Sequence, residues 1–182
     1  MKKDWRYSSY PFMREKSCLV DYEIRTDSLT TSVGHVFCHL TEKEQIVIDD
    51  LRLIQELCYH ANGSVRGKLA ISEEDLSWLS DRYDEYVRLT GEKTKQFVLP
   101  QGNKAASALH IARSDAKKSY RALHKVSEER KVPEILFSYL GLLANVLFAM
   151  AVYVNQLNQV EEIPFISKSY PMKKKKESNN EN

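Results

Sequence analysis

Glycine and proline are scarce in this chain, six and five in 182 residues. A sandwich of short strands needs many tight turns, so this shortage argues against one and favours long helices. Cysteine is scarcer still. Cys18, Cys38 and Cys58 are odd in number and show no CxxC spacing. Reduced thiols packed as small buried hydrophobes are therefore expected, in a cytoplasmic protein. No strong charge of either sign is present. The formal net charge is +2, and much of the excess sits in Lys173, Lys174, Lys175 and Lys176. The body is near neutral, which gives no electrostatic case for nucleic acid. The opening MKKDWRYSSY lacks the apolar core of a signal peptide. P-loop and nucleophile-elbow motifs are missing as well. His35 and His39 share a helix face at i, i+4 but have no third ligand at a diagnostic spacing, so no metal site is expected.

One long apolar run is present. Ile135 to Val154 carries no charge, a length that suits a membrane span. Ser138, Gly141 and Asn145 form a small or polar strip along it, which suits close helix packing in either solvent. The rest of the chain supplies several amphipathic helices that need a central partner. A helix apolar on all sides is what the middle of a bundle requires, so a core helix is expected rather than a membrane span.

The pattern divides the chain into an irregular segment (1–22), a helical domain (23–160) and a Lys-rich tail (161–182) expected to be disordered. A first helix is expected from about 22 to 39, with Ile24, Leu29, Val33, Val36, Phe37 and Leu40 at helical spacing. A second opens at Thr41, where Glu44 completes a capping box, and stops near Asn62 and Gly63. A third opens at Ser72 with Asp75 and stops at Gly91. The fourth spans about 102 to 130 before Pro133, and the fifth runs to about Asn158. Five helices joined by short loops predict an all-α, up-and-down five-helix bundle with sequential neighbours antiparallel.

The densest stretch is Phe97 to Arg121. Phe97, Val98 and Leu99 form an extended apolar entry, Pro100 and Gly102 a turn, and a helix follows. Ala108, Leu109, Ala112 and Ala116 share its apolar face, while Arg113, Lys117 and Arg121 recur every fourth residue on another. Cations in register repel one another. They are either a solvated basic face or the seat of an anion, acidic side chains or phosphate. By pattern alone, Phe97 is a core residue and His110 a hydrogen-bonded packing residue.

This stretch resembles the helix signature of the PduO-type ATP:cob(I)alamin adenosyltransferases. Phe97, Leu99, Pro100, Gly102, Ala106, Leu109, His110, Ala112, Arg113 and Arg121 fall on it without a gap. Lys117 and Lys118 stand for arginines, Tyr120 for a glutamate and Gln101 for a glycine. Further matches run from Asp27 to Gly34, Leu53 to Leu57 and Tyr139 to Phe148. The resemblance implies a five-helix bundle assembled as a homotrimer, with ATP, Mg²⁺ and cobalamin as ligands. In that family cob(I)alamin attacks the 5′ carbon of ATP and releases triphosphate. The resemblance places Phe97 beneath the corrin ring and pairs Asp27 with Arg113 across a subunit interface beside the ATP, the two residues assigned a catalytic role. It gives Lys117, Lys118, Arg121 and Asn145 to ATP and its phosphates. The chain also departs from the pattern. The family's N-terminal phosphate loop, T-R-x-G-D-x-G-x-T, has no counterpart before Gly34. Gly141 and Leu142 replace an Asn-Arg pair, and Asn145 replaces an aspartate. Two readings follow: an adenosyltransferase with a degenerate ATP site, or a non-catalytic relative that binds a corrinoid, a nucleotide or a protein partner.

Overall fold

The computed structural model describes residues 5–169. Five helices carry the fold: α1 (Cys18–Val36), α2 (Gln45–Ser64), α3 (Glu73–Thr90), α4 (Lys104–Glu129) and α5 (Glu134–Leu157). Among the described residues strand pairing is limited to one isolated bridge, Val98 opposite Pro164. The Lys-rich stretch of the tail lies outside the described residues.

Local chemistry sets most helix ends. Thr41 and Glu44 form the expected capping box, with the Thr41 N–H and hydroxyl donating to the Glu44 carboxylate at 2.9 and 2.6 Å. Ser72 and Asp75 form the second. Gly91 ends α3 at φ 60°, a conformation that costs a residue with a Cβ. The start of α1 differs from expectation. The helix begins at Cys18, inside the segment read as irregular, with Ser17 as its cap accepting from the Leu19 N–H at 3.1 Å and a distant carboxylate adding to it. Glu129 at the end of α4 accepts from Ser17 Oγ (2.6 Å) and from the Cys18 N–H (2.9 Å). That carboxylate is held down to about 2, first by the Ser17 hydroxyl. The core face of α1 is correspondingly Leu19, Tyr22, Leu29, Val33 and Val36, while Ile24 faces solvent. Of the cysteines, Cys58 is buried as expected, Cys18 is half-buried and Cys38 is exposed.

Helix directions alternate as an up-and-down bundle requires. Tyr59 to Asp27 and Asn62 to Glu23 run in opposite senses along α2 and α1. Ser32 to Asp115 and Cys18 to Glu129 do the same for α1 and α4. The neighbours, however, are not all sequential. α4 packs between α1 and α5, not beside α3. α3 instead lies parallel to α5, with the Tyr86 ring 5.5 Å from the Tyr153 ring and Gln156 donating to the Leu89 carbonyl at 3.0 Å. The connection from 91 to 103 is long enough to make this crossing.

The apolar α5 sits at the centre of this arrangement, against α3 and α4. Among the described residues it is the helix long and apolar enough to cross a membrane, and 61% of its most apolar window is buried inside the bundle. Leu136, Tyr139, Leu140, Leu143, Val146 and Leu147 are fully enclosed. Polar ties join the outer helices. The Tyr86 hydroxyl donates to the buried Asp50 at 2.7 Å, holding α3 to α2. Burial pushes the Asp50 carboxyl up, and the Tyr86 hydroxyl opposes that rise. Arg66, beyond α2, clamps the N-terminal segment. Its guanidinium meets Glu23 (2.7 Å) and Glu15 (2.9 Å) and lies 3.8 Å from the Phe12 ring centre. Tyr86→Phe keeps the ring but leaves Asp50 without its donor. A loss of about 1–3 kcal/mol is expected, read as a lower urea midpoint at unchanged slope.

Candidate functional site

The turn into α4 is fixed by one buried amide. Asn155 of α5 is almost fully enclosed. Its Nδ2 donates to the Gln101 carbonyl (3.0 Å) and to Glu162 Oε1 (2.9 Å), and its Oδ1 accepts from the Asn103 N–H at 3.1 Å. Gly102 passes so close, at φ 143°, that a Cβ there would overlap the Asn155 amide. Asn103 then caps α4 by accepting from the Ala106 N–H at 2.8 Å.

The entry segment finds a partner that the sequence pattern did not show. The Leu99 N–H donates to the Ile163 carbonyl (2.9 Å), and the Phe165 N–H donates to the Phe97 carbonyl (2.7 Å). Val98 and Pro164 face each other between these bonds, in the narrow pair where neither N–H points across, so Pro164 loses no bond. The front of the expected disordered tail is thus tied to the bundle. Strand alternation puts Phe97, Leu99, Ile163 and Phe165 on one side of this ladder. All of them are exposed, Phe97 to 79%. Phe97 is therefore not the core residue that its apolar neighbours suggested.

Along α4, Ala105, Ala108, Ala112 and Ala116 are buried and let α1 and α5 approach closely. The cation stripe lies outside this seam. The Arg113 guanidinium sits 5.1 Å from the Phe148 ring centre and has no acidic partner among the described residues. Burial lowers its pKa, and its charge is the main cause of a lowered Lys117 pKa. Lys117, Lys118 and Arg121 line a groove of about 310 Å³ between α4 and α1, together with Lys125, Arg25 and Asp21. Lys118 pairs with Asp115 at 2.7 Å, and Asp115 also accepts from Ser32. Cations outnumber acids in this groove, which fits an anionic ligand better than a neutral one.

Not every expected site residue joins the groove. Asp27 lies on the opposite flank of α1, where it accepts from the Tyr59 hydroxyl at 2.9 Å. Arg113 faces α5, so the two do not meet within one chain. Asn145 is exposed on α5, at the level of Lys117 in the antiparallel register set by Arg113 with Phe148 and Tyr120 with Gly141. Two departures from the family pattern touch one another: the Tyr120 ring packs against Gly141, where a side chain would meet it at 3.6 Å. Tyr120 also meets His124 (4.8 Å) and Phe137 (6.0 Å) edge-on. An aromatic cluster thus fills the place of a carboxylate and a polar pair.

His110 departs from its expected role. It is buried, 6.2 Å from the Phe148 ring, and neither ring nitrogen has a hydrogen-bond partner among the described residues. Burial first, and then the Arg113 charge, lower its pKa to about 4. Because the folded value lies below the unfolded one of about 6.5, the neutral ring supports the fold above that value. This support is lost as the pH falls towards 4, at a limiting cost of about 3 kcal/mol. His110→Leu is expected to flatten the loss of stability between those pH values, measured by denaturant unfolding across the range.

Comparison with known proteins agrees with this geometry. The model of the cobalamin adenosyltransferase family matches residues 13–154. The corrinoid adenosyltransferase of Bacillus subtilis (strain 168) is 27% identical over 146 residues, 76% of this chain and 75% of that protein. The corrinoid adenosyltransferase of Citrobacter freundii is 27% identical over 133 residues, 69% of this chain and 74% of that protein. Among solved structures, a variant of the PduO-type ATP:corrinoid adenosyltransferase from Lactobacillus reuteri, complexed with cobalamin and ATP, shares the fold. Its TM-score is 0.75 at 24% identity, with 82% of this chain and 84% of that chain covered. With the family model matched over most of its length and the helix order shared, the chain belongs to the cobalamin adenosyltransferase family.

Proposed function

We propose that this protein is a corrinoid adenosyltransferase with a reduced nucleotide site, acting as a homotrimer on cob(I)alamin and ATP. The observation that carries this reading is the exposed apolar face headed by Phe97, held beside a helix whose outer stripe is Arg113, Lys117 and Arg121. A flat macrocycle suits such a face, and a triphosphate suits such a stripe. In this reading cobalt forms a bond to the 5′ carbon of ATP while the bond from that carbon to oxygen breaks. The electron pair leaves with triphosphate, and the α4 cations stabilise the charge that develops there. Mg²⁺ arrives on the triphosphate as part of the substrate, held chiefly by phosphate oxygens and water. Asp27 and Arg113 lie on different flanks of one chain, which is the placement that a bridge between copies needs.

A second reading is a corrinoid-binding relative without turnover. The packing of Tyr120 on Gly141 favours it, as does the N-terminal segment, which carries no phosphate loop and is clamped by Arg66 on the α2 side of α1. Titration with Mg-ATP and with cobalamin, followed by single-turnover adenosylation of reduced cobalamin, separates the two. The enzyme reading expects both ligands to bind and Arg113→Ala to lower turnover by roughly 10²-fold. Phe97→Ala is expected to weaken cobalamin and leave ATP affinity unchanged. Cobalamin binding without ATP binding or turnover selects the second reading, and a sizing-column mass of one chain removes the trimer.

A further inference from the structure

By spacing alone His35 and His39 make no metal site, because no third ligand accompanies them. The structure adds what spacing does not give. Their Nε2 atoms face one another at 3.3 Å, with ring centres 4.8 Å apart and ring planes at 90°. His35 lies in the last turn of α1, and His39 ends the 3₁₀ turn Phe37–His39 that follows. His35 is exposed and His39 half-buried, so solvent reaches the pair. Among the described residues neither ring makes another hydrogen bond.

Two neutral imidazoles can meet in this way as a hydrogen bond, if one Nε2 carries its proton and the other does not. At 3.3 Å that bond is long and weak. The same separation is the one that two nitrogens on a single metal ion adopt. With metal–nitrogen bonds of about 2.0–2.1 Å and a tetrahedral angle, two ligating nitrogens stand about 3.3–3.4 Å apart. The rings therefore hold the spacing of a chelate before an ion arrives, each with its proton on Nδ1 and its Nε2 lone pair free to ligate. The end of α1 also favours a cation, because the last carbonyls of a helix carry partial negative charge. Imidazole nitrogen selects borderline ions such as Ni²⁺ and Zn²⁺ over Mg²⁺, which takes oxygen. Cys38 is exposed next to His39, yet among the described residues no third ligating side chain converges on the pair.

We propose that His35 and His39 chelate a borderline divalent transition cation through both Nε2 atoms, with water in the remaining positions. The pair stands at the opposite end of α1 from Cys18, Asp21 and Arg25, which line the cationic groove, so this site is independent of the adenosyltransferase reading. A bound ion joins the last turn of α1 to the turn that follows it, and it stabilises the folded chain because the unfolded one does not hold the rings together. The test is calorimetric titration of the untagged, reduced full chain with NiCl₂ in a buffer that does not chelate. His35→Ala and His39→Ala are each expected to weaken Ni²⁺ at least roughly tenfold, since the second imidazole meets an ion already held by the first. His60→Ala, at an exposed position of α2, and Cys38→Ser are expected to leave the affinity unchanged. MgCl₂ is expected not to bind at the same concentrations. Saturating NiCl₂ is expected to raise the urea midpoint of the wild-type protein and not that of His39→Ala. Failure of the folded wild-type protein to bind Ni²⁺ overturns the proposal. So does a loss in His35→Ala or His39→Ala no greater than in His60→Ala, an equal loss in Cys38→Ser, Mg²⁺ binding as tight as Ni²⁺ binding, or an equal midpoint rise in His39→Ala.

Discussion

The burial of α5 is the constraint on which the rest of the structure depends. A helix apolar around most of its circumference stays in water only if other helices cover it. Here α3 covers it from one side and α4 from the other, while α1 packs on α4 and α2 on α1. α4 reaches both α1 and α5 because its seam is built of alanines, which bring the backbones close. That close approach has a second effect. It leaves no room on the inner side for long side chains, so Lys117 and Arg121 lie outside it, in the groove between α4 and α1, while Arg113 lies half-buried against Phe148 of α5.

The end of the same helix organises the other half of the site. Asn155 is the last buried polar residue of α5, and its amide reaches the turn before α4 and the segment after α5 together. A single amide thus ties segments far apart in the chain, and Gly102 supplies the space it needs. The ladder of Phe97 to Leu99 with Ile163 to Phe165 grows from this knot. Its outer side is apolar and exposed. The chain therefore presents an apolar surface and a cationic stripe, each fixed by a different element.

The family pattern is kept in some places and exchanged in others, and the exchanges are not independent. Tyr120 and Gly141 are substitutions on different helices that fill each other's space. The N-terminal segment is held by Arg66, with Glu15, Glu23 and Phe12, on the α2 side of α1. Packing fills the space between Tyr120 and Gly141, while Phe97, Lys117 and Arg121 are exposed at the surface.

Much of this was legible in the sequence. Five helices, both capping boxes, the glycine stop at Gly91 and the central role of the apolar helix follow from spacing and local chemistry, which act within a few residues. The cation stripe was legible for the same reason, because every fourth residue shares a helix face. What spacing could not show were the contacts between distant segments. The start of α1 was misjudged because the Ser17 cap is held by Glu129, which comes from the far end of α4. The crossing of α4 past α3 was misjudged because loop length permits either neighbour, and only the packing of alanines against α1 and α5 decides between them. Phe97 read as core and His110 as hydrogen-bonded, yet one is exposed and the other buried without a partner. Sequence pattern sets which faces are apolar, through forces local to each helix. Which apolar group ends in water, and which polar group ends away from it, is decided only when the helices meet.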